Sequence, residues 1–360
     1  MHNILVTGAS GFIGRWLSPA LTQQGHNVFA LLRQPERITE LRQQCAARGG
    51  VAEHLQALAG DLTLPRLGMQ STPALSHIYH LGAQFAWGLS PAQARACNVN
   101  GALAAVELAA EHGAWLILVG GFMTENTAYL AELGINRQHP EQTDWARVYR
   151  ATGAYEASKL EGYFRAQALA NAKGVAFTGV NPATVCGHSQ HGSLDAQQPL
   201  AQLIDNLAQG RLRGIPGNAA HWLPLVSVDA LAQLLAHLSQ LSPAQVPPTL
   251  LALDPTSPNL TTLLGWLADD LQVPAPRHFV PLPLLRALLR IKPLARALAT
   301  DPEGLAFIRP ERLTDASDST TAFMQQHSLS WPPLRLCVER SAQHYMQGST
   351  GRSLSSASPC

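Results

Sequence analysis

A glycine-rich turn near the N-terminus constrains the fold more than any other feature of the sequence. Residues 7–14 read Thr-Gly-Ala-Ser-Gly-Phe-Ile-Gly and directly follow an apolar strand candidate at 4–6. Glycines at 8, 11 and 14 allow a tight turn, close approach of the backbone to a ligand and close packing of a strand against a helix. A helix that begins here presents its N-terminal N–H groups to a phosphate. The turn therefore predicts dinucleotide binding.

Short apolar runs alternate with segments of helical length along the first half of the chain. The alternation predicts βαβ units, and the continuous apolar character of the runs is typical of a parallel sheet covered on both faces. We therefore predict a doubly wound α/β (Rossmann) fold. The predicted strands are Ile4–Val6, Asn27–Leu32, Leu55–Ala59, His77–Leu81, Trp115–Val119 and Val175–Asn181, and the predicted helices are Phe12–Gln24, Pro35–Ala47, Pro91–His112 and Gly153–Ala172.

The regular alternation lapses after residue 181 and returns as strand candidates at 223–228 and 249–253 with a helix at 229–239. We expect these late strands to complete the sheet. The predicted dinucleotide-binding domain is therefore 1–185 completed by 221–254. The predicted substrate-binding lobe is smaller and discontinuous, formed by 186–220 and 255–346, and the Ser- and Gly-rich residues 347–360 are expected to form a mobile tail. The polar segment 122–150 is expected to be a long active-site loop.

Composition excludes several classes of protein. The 360 residues contain 25 Lys and Arg against 24 Asp and Glu, which argues against a strongly basic nucleic-acid binder. Five cysteines with no CxxC pair and no Cys/His ligand spacing predict free thiols, a reducing cytoplasmic location and no metal site. The N-terminus lacks a basic segment before its apolar run, and no apolar run reaches about 18 residues, so we predict neither a signal peptide nor a transmembrane helix.

The end of the second predicted strand favours one dinucleotide over the other. An NAD site commonly places an acidic residue there to bind the ribose hydroxyls, but here Leu32 is followed by Arg33. A guanidinium at this position suits the 2′-phosphate of NADP. Arg37 is a second candidate for the same phosphate. Either arginine could instead be an ordinary solvated charge.

Tyr155 and Lys159 lie four residues apart on the helix predicted after the long segment. This spacing places the phenol and the ammonium on one helix face, where the lysine charge is expected to lower the phenol pKa and the lysine to hold the nicotinamide ribose. A phenol with a lowered pKa is a usable general acid or base. Tyr155 is also the only tyrosine with a lysine four residues later.

The chain resembles the extended, epimerase-like branch of the short-chain dehydrogenase/reductase superfamily over about residues 3–240. The resemblance rests on the turn at 7–14, on Gly-Asp-Leu at 60–62, His-Leu-Gly-Ala at 80–83, Asn-Val-Asn-Gly at 98–101, YxxxK at 155–159 and Asn-Pro-Ala-Thr-Val at 181–185. It implies that Asn98 supports a structural water or a helix kink in the proton path. It also implies a set of cofactor-binding residues: Thr7, Gly8, Ser10, Gly11, Phe12, Ile13, Gly14, Asp61, Leu62, Leu81, Gly82, Ala83, Tyr155, Lys159, Pro182, Ala183 and Val185.

One position departs from the family pattern. The family supplies a Ser or Thr after the fifth strand to hold the substrate oxygen, and Gly121 or Phe122 occupies that place here. Thr124 is the nearest hydroxyl, which either replaces the missing donor or simply begins the following segment. Loss of such a donor typically costs about 100-fold or more in rate.

These features predict an NADP-dependent oxidoreductase that interconverts a carbonyl and an alcohol on a mostly apolar small molecule. Three alternatives stay open: a nucleotide-sugar epimerase or dehydratase, an acyl thioester reductase, to which residues 60–69 and 80–83 bear a local resemblance, and a cofactor-binding sensor or scaffold without turnover. The family often dimerises through two long helices, here 91–112 and 153–172, which implies a homodimer. A basic amphipathic segment at 279–298 covers the pocket or, alternatively, contacts a membrane surface or a phosphate-bearing substrate.

Overall fold

The computed structural model describes residues 1–84, 89–289 and 302–355 of the chain. The described residues divide into two compact units. Unit 1 comprises Met1–Pro182, Leu231–Ala252 and Ala322–Leu329, and unit 2 comprises Ala183–Ala230, Leu253–Thr321 and Ser330–Cys360. Among the described residues, no helix is both long enough and apolar enough to cross a membrane.

A parallel sheet forms the centre of unit 1. Its seven described strands follow the order β3-β2-β1-β4-β5-β6-β10, so the predicted fold class is confirmed. Apart from the partly exposed edge strand β3, the strands are almost entirely buried, which explains their continuous apolar sequences. The strands are β1 (Asn3–Thr7), β2 (Asn27–Leu32), β3 (Leu55–Ala59), β4 (His77–His80), β5 (Trp115–Val119), β6 (Phe177–Pro182) and β10 (Thr249–Ala252).

Helices of unit 1 cover the sheet. The predicted helix at 91–112 is a continuous helical segment with a π-helical turn, Arg95–Val99, between α3 and α4. The helices are α1 (Gly14–Gln23), α2 (Ile38–Ala46), α3 (Pro91–Ala94), α4 (Asn100–His112), α5 (Thr127–Leu133), α6 (Trp145–Thr152), α7 (Ala154–Lys173) and the greater part of α9 (Val228–Leu238), with 3₁₀ turns at Pro35–Arg37, Ala52–His54, Pro65–Gly68, Phe122–Glu125, Pro140–Gln142 and Pro243–Gln245.

Unit 2 has its own apolar core, in which α8 (Pro199–Ala208) and α10 (Leu260–Leu271) contribute the side chains of Leu200, Ile204, Leu263 and Leu267. Its two small sheets pair β7 with β9 and β8 with β11. The elements are β7 (Thr184–Cys186), α8 (Pro199–Ala208), β8 (Ile215–Pro216), β9 (Leu225–Ser227), α10 (Leu260–Leu271), β11 (Phe279–Val280), α11 (Leu282–Leu289), a 3₁₀ helix Pro302–Phe307, α12 (Thr314–Gln326), which runs into unit 1, and α13 (Leu334–Ser355).

The prediction of a long loop at 122–150 is wrong, because the segment contains α5 and α6. The side chain of Asn126 accepts a hydrogen bond from the Tyr129 N–H and caps α5, and the side chain of Asp144 does the same for α6 through the Arg147 N–H. Gly134, with φ +73°, ends α5 in the left-handed region. Local capping thus gives helical structure to a segment whose polarity suggested a loop.

Two further expectations differ from the structure. Residues 225–227 form β9, which pairs with β7 instead of completing the large sheet, so only the strand at 249–252 does so. Helix α13 continues to Ser355, across most of the predicted tail, and residues 356–360 lie outside the described residues. Of the basic segment at 279–298, the structure describes α11 with Arg286, whereas Arg290, Lys292 and Arg296 lie outside the described residues.

Candidate active site

The glycine-rich turn brings the carboxyl ends of β1 and β4 together. Gly8 has φ +70°, and a Cβ atom there would lie 2.8 Å from the backbone nitrogen of Gly82, so only glycine fits. Thr7 Oγ1 accepts a hydrogen bond from the Gly82 N–H at 3.0 Å and lies 3.0 Å from His80 Nδ1. Burial lowers the pKa of His80 to about 3, so its ring is neutral and Thr7 Oγ1 shares a hydrogen bond with its Nδ1. The side chain of Thr7 therefore fixes the turn from within.

A cavity of about 720 Å³ opens beside this turn, where the strand order changes direction between β1 and β4. The predicted cofactor-binding residues that line it are Gly8, Ser10, Gly11, Arg33, Asp61, Leu62, Gly82 and Ala83. The sequence analysis did not assign seven further lining residues: Leu31, Leu32, Gln34, Gly60, Thr63, Gln84 and Cys97. These residues lie on separate segments of the chain, at or after strand ends and on the π-helical turn. Only the tertiary fold brings them together around one cavity.

Two arginines lie where β2 ends. Arg33 and Arg37 both line the cavity, and Arg37 forms an exposed ion pair with Glu40 at 3.4 Å. A smaller neighbouring cavity of about 40 Å³ is shared by Ser10, Arg37 and Arg15, the second residue of α1. Arg15 was missed by sequence reasoning, although its place directly after the last glycine of the turn was the available signal. Three arginines therefore line this cavity or its smaller neighbour.

Asp61 lines the same cavity and is held in one orientation by a local turn. Its carboxylate accepts hydrogen bonds from the N–H and the hydroxyl of Thr63, each at 2.8 Å. These bonds, with a smaller contribution from the charge of Arg33, hold the pKa of Asp61 below its usual value. Asp61 is therefore a fixed, ionised acceptor facing the cleft.

Helix α7 carries the predicted Tyr155 and Lys159. Lys159 Nζ donates a hydrogen bond of 2.9 Å to the carbonyl oxygen of Val119, the last residue of β5, and burial lowers the pKa of Lys159 to about 8. The expected lowering of the Tyr155 pKa is not what the structure shows. Burial and then the charge of Glu156 raise it, because a phenolate is poorly solvated here. Tyr155 is therefore a protonated phenol at neutral pH.

Asn98 lies on the π-helical turn and joins two parts of the site. Its Oδ1 accepts a hydrogen bond of 2.8 Å from the Gln84 N–H, and its Nδ2 donates one of 2.8 Å to Ser158 Oγ. Ser158 in turn donates to the carbonyl oxygen of Tyr155. Asn98 thus links the loop after β4 to the helix of Tyr155. The expected support of a structural water or a helix kink by Asn98 stays a prediction; the structure places Asn98 on a π-helical turn.

Thr124 is buried, and its hydroxyl proton has a partner within the protein. Thr124 Oγ1 donates to the carbonyl oxygen of Gly121 at 2.9 Å. The segment is also held by Glu125, whose Oε1 accepts a hydrogen bond of 2.8 Å from Asn181 Nδ2. The role of Thr124 as a hydrogen-bond donor to a substrate oxygen therefore stays a prediction. The bond from its hydroxyl to Gly121 argues against that role.

The remaining predicted residues have the following positions. Leu81 follows β4, Pro182 ends β6 in unit 1, and Ala183 and Val185 are buried residues of unit 2. The aromatic residues Trp145 and Tyr149 of α6 pack within unit 1, because the Trp145 indole donates to the Pro140 carbonyl and the Tyr149 hydroxyl donates to buried Glu161 on α7. Thr7 ends β1, Phe12 and Ile13 belong to the turn, and Gly14 begins α1. These four residues, like Tyr155 and Lys159, are not among the residues that line the cavity.

Comparison with known proteins agrees with this geometry. Residues 4–249 match the NAD dependent epimerase/dehydratase family. The chain belongs to this family. Membership confirms the predicted superfamily and a nicotinamide dinucleotide as the class of cofactor, without deciding between NAD and NADP.

Two curated relatives are reductases. The chain is 27% identical to the 2-alkyl-3-oxoalkanoate reductase of Stenotrophomonas maltophilia over 65% of its own length, and 25% identical to the dihydroflavonol 4-reductase of Hordeum vulgare over 67%. These alignments span less than two thirds of the relatives, 64% and 65% of their respective lengths.

Solved structures share the fold across almost the whole chain. The terminal R domain of the myxalamid PKS-NRPS biosynthetic pathway matches with a TM-score of 0.73 at 18% identity, covering 97% of this chain and 92% of that domain. The UDP-glucuronic acid 4-epimerase of Bacillus cereus, in complex with NAD, matches with a TM-score of 0.53 at 15% identity, covering 90% and 99%. At these identities the likeness establishes the fold.

Proposed function

We propose that this protein is an NADP-dependent reductase that converts the carbonyl group of a mostly apolar small molecule to an alcohol. The observation that carries the proposal is the anchoring of Lys159 on the end of β5, with the protonated Tyr155 one helical turn away. Carbonyl reduction requires a proton donor and a bound dinucleotide, and unit 1 contains both this phenol and a dinucleotide-sized cleft. The two curated relatives, both reductases, support the same class of reaction.

The residues of the cleft fit NADP. Gly8, Gly11 and Gly82 line the cavity without side chains, which leaves room for a pyrophosphate beside the N-terminus of α1. Arg33, Arg37 and Arg15 would bind the 2′-phosphate, and Asp61 and Leu62 would flank the adenine. No carboxylate occupies the end of β2 to bind the ribose hydroxyls of NAD, because Leu32 is the last residue of that strand and Arg33 follows it.

The chemistry then divides between cofactor and protein. When bound, the reduced nicotinamide supplies the hydride that attacks the carbonyl carbon. Tyr155 donates its phenolic proton to the carbonyl oxygen, and the raised pKa of Tyr155 keeps that proton in place until the oxygen becomes basic. The ammonium of Lys159 stabilises the phenolate formed in this step and holds the ribose. Asn98 positions Tyr155 through Ser158.

The test is consumption of NADPH by the purified protein with three substrate classes in parallel: apolar ketones and aldehydes, acyl-CoA thioesters, and nucleotide sugars. We expect turnover with ketones or aldehydes, and loss of that turnover in Tyr155→Phe with NADPH affinity nearly unchanged. Turnover only of acyl-CoA would replace the proposal by thioester reduction. Redox-neutral conversion of a nucleotide sugar would replace it by epimerisation, and NADPH binding without any turnover would point to a sensor.

The predicted homodimer and the cytoplasmic location stay predictions. Light scattering coupled to size-exclusion chromatography measures the first directly, and fractionation of the source cells measures the second. A monomer in the light-scattering experiment would show that the helices at 91–112 and 154–173 do not serve as a dimer interface.

A further inference from the structure

Glu125 ends the 3₁₀ turn that follows β5, and its carboxylate is bound on two sides. Glu125 Oε1 accepts a hydrogen bond of 2.8 Å from Asn181 Nδ2 on β6, and Glu125 Oε2 pairs with the guanidinium of Arg137 at 3.6 Å. The side chain of Glu125 is only 11% exposed, and a charge in such surroundings needs polar partners. The carboxylate is therefore fixed between β6 and the segment that follows α5.

Asn181 is completely buried, and only one end of its amide has hydrogen-bond partners. Asn181 Nδ2 donates to Glu125 and, at 3.1 Å, to the hydroxyl oxygen of Tyr163 on α7. Asn181 Oδ1 has no hydrogen-bond partner among the described residues. An amide whose oxygen is unpaired is oriented by the acceptors of its NH₂ group. Since an ionised carboxylate can only accept, Glu125 determines which end of the Asn181 amide faces it.

This orientation packs Asn181 and Tyr163 against the end of β5. A Cβ atom on Gly120 would lie 2.1 Å from Asn181 Oδ1 and 2.8 Å from the Tyr163 ring, so both side chains contact the α-carbon of this glycine closely. The preceding residue is Val119, whose carbonyl oxygen accepts the hydrogen bond from Lys159 Nζ. Tyr163 lies one helical turn after Lys159. The two contacts therefore join the same helix to adjacent residues at the end of β5.

We propose that Glu125 is a positioning residue of the reductase, and that its bond to Asn181 holds the end of β5 in the place where Lys159 is anchored. The inference rests on the proposed function, in which the ammonium of Lys159 stabilises the phenolate formed by Tyr155. Glu125 transfers no proton in this role and supplies only geometry. A displacement of about 1 Å can cost about 100-fold in rate even when the altered residue lies away from the reacting atoms.

Two conservative variants separate the length of the Glu125 side chain from its charge. Glu125→Asp keeps the charge and is shorter by one methylene group, which draws the carboxylate back from Asn181. Glu125→Gln keeps the length and an acceptor oxygen but loses the charge. We expect kcat for ketone reduction to fall about 10- to 100-fold in Glu125→Asp and to stay within about threefold of the parent value in Glu125→Gln. Glu141→Asp, at an exposed carboxylate paired with His139, is the control and should keep the parent kcat.

A second measurement needs no turnover. The three lysines of the chain are Lys159, Lys173 and Lys292. Lysine-selective ¹³C labelling therefore gives few NMR signals, and their titration reports the pKa of Lys159. Cys97 and His80 are titratable groups that interact with Lys159, and both variants leave them unchanged. Because the Val119 carbonyl favours the ammonium, its displacement should lower the pKa of Lys159 by about one unit in Glu125→Asp and not in Glu125→Gln.

The outcomes separate this inference from the function on which it rests. Equal effects of the two Glu125 variants, or a larger effect of Glu125→Gln, would assign the role to charge and overturn the positioning. Parent values of kcat and of the Lys159 pKa in both variants would overturn it as well, and so would a kcat that only follows the free energy of unfolding in urea. If the parent protein consumes no NADPH with any ketone or aldehyde, the proposed function fails, and the pKa of Lys159 still tests whether Glu125 positions that side chain.

Discussion

Lys159 Nζ lies 2.9 Å from the carbonyl oxygen of Val119, and this bond ties helix α7 to the carboxyl end of β5. It places the ammonium at the edge of the sheet where the strand order favours ligand binding. The same burial that brings the two groups together lowers the pKa of Lys159 to about 8. Lys159, which ties α7 to β5, is therefore also a group whose charge changes near physiological pH.

The reductase activity should depend on the charge of Lys159. Below about pH 8 the side chain is an ammonium that stabilises the developing phenolate of Tyr155, and above it the charge is lost. We expect kcat/KM for ketone reduction to fall as the pH rises through about 8, measured between pH 6 and 10. Lys173→Met removes a partly exposed lysine that pairs with Glu107 and serves as the control. Its kcat/KM should fall above about pH 8 as that of the parent protein does. A flat profile up to pH 9.5 would contradict the role of Lys159.

Arg33→Asp should weaken NADPH binding much more than NADH binding. A charge-assisted contact between a guanidinium and a phosphate contributes about 1.5–3 kcal/mol, which is about 10- to 100-fold in Kd. We expect a loss of at least this size for NADPH and a change below about threefold for NADH, by calorimetric titration. Arg213→Asp, the same charge change at an exposed residue of unit 2, is the control. Equal losses for both cofactors would show that Arg33 does not bind the 2′-phosphate.

Asn98→Ala should cost both stability and turnover. The substitution removes the acceptor of the Gln84 N–H and the amide that donates to Ser158 Oγ, and each hydrogen bond lost costs about 0.5–1.5 kcal/mol. We expect a lower free energy of unfolding in urea and a kcat that falls more than the KM for NADPH rises, because α7 is no longer tied to the loop after β4. Asn136→Ala, at an exposed residue, serves for comparison. An unchanged kcat in a destabilised variant would limit Asn98 to a structural role.

Acid should destabilise the protein through histidines at the amino end of the sheet. Burial lowers the pKa of both His26 and His77 to about 4, and their rings lie 5.1 and 4.9 Å from that of His2. Between about pH 6.5 and 4 these histidines bind protons in the unfolded chain but not in the folded protein. Their contribution to the free energy of unfolding is therefore fully present above pH 6.5 and is lost as the pH falls. We expect Tm to decline over this range.

His77→Gln tests the origin of this acid sensitivity. The variant lacks the His77 imidazole, which is protonated more readily in the unfolded chain than in the folded protein. Its Tm should therefore fall less steeply between pH 6.5 and 4 than that of the parent protein. His139→Gln removes an exposed histidine instead and should keep the full slope. A slope equal to that of the parent protein in His77→Gln would assign the acid sensitivity to other groups.

The sequence by itself determined the sheet and the turn. The predicted bounds of β2, β3 and β5 agree with the structure. Strands β2 and β5 are apolar throughout because parallel strands inside a covered sheet are buried, whereas β3 lies at the edge of the sheet and is partly exposed. The tight turn at Gly8 was equally predictable, because the glycine spacing at 8, 11 and 14 is typical of a turn between a strand and a helix. Both features depend on chemistry within a few residues of chain, which is what a sequence pattern records.

The tertiary structure decided what depends on neighbours distant in sequence. The pKa of Tyr155 rises because burial disfavours the phenolate and the charge of Glu156 adds to this effect. Thr124 has a hydrogen-bond partner that its sequence position did not reveal. Cys97 and Gln84 reach the cavity only because the π-helical turn and the loop after β4 meet there. Gly120 and Gly121 are identical letters in the sequence. Only the packing of Asn181 and Tyr163 against Gly120 distinguishes a glycine that the fold requires from its neighbour, at which an added Cβ atom meets no such contact.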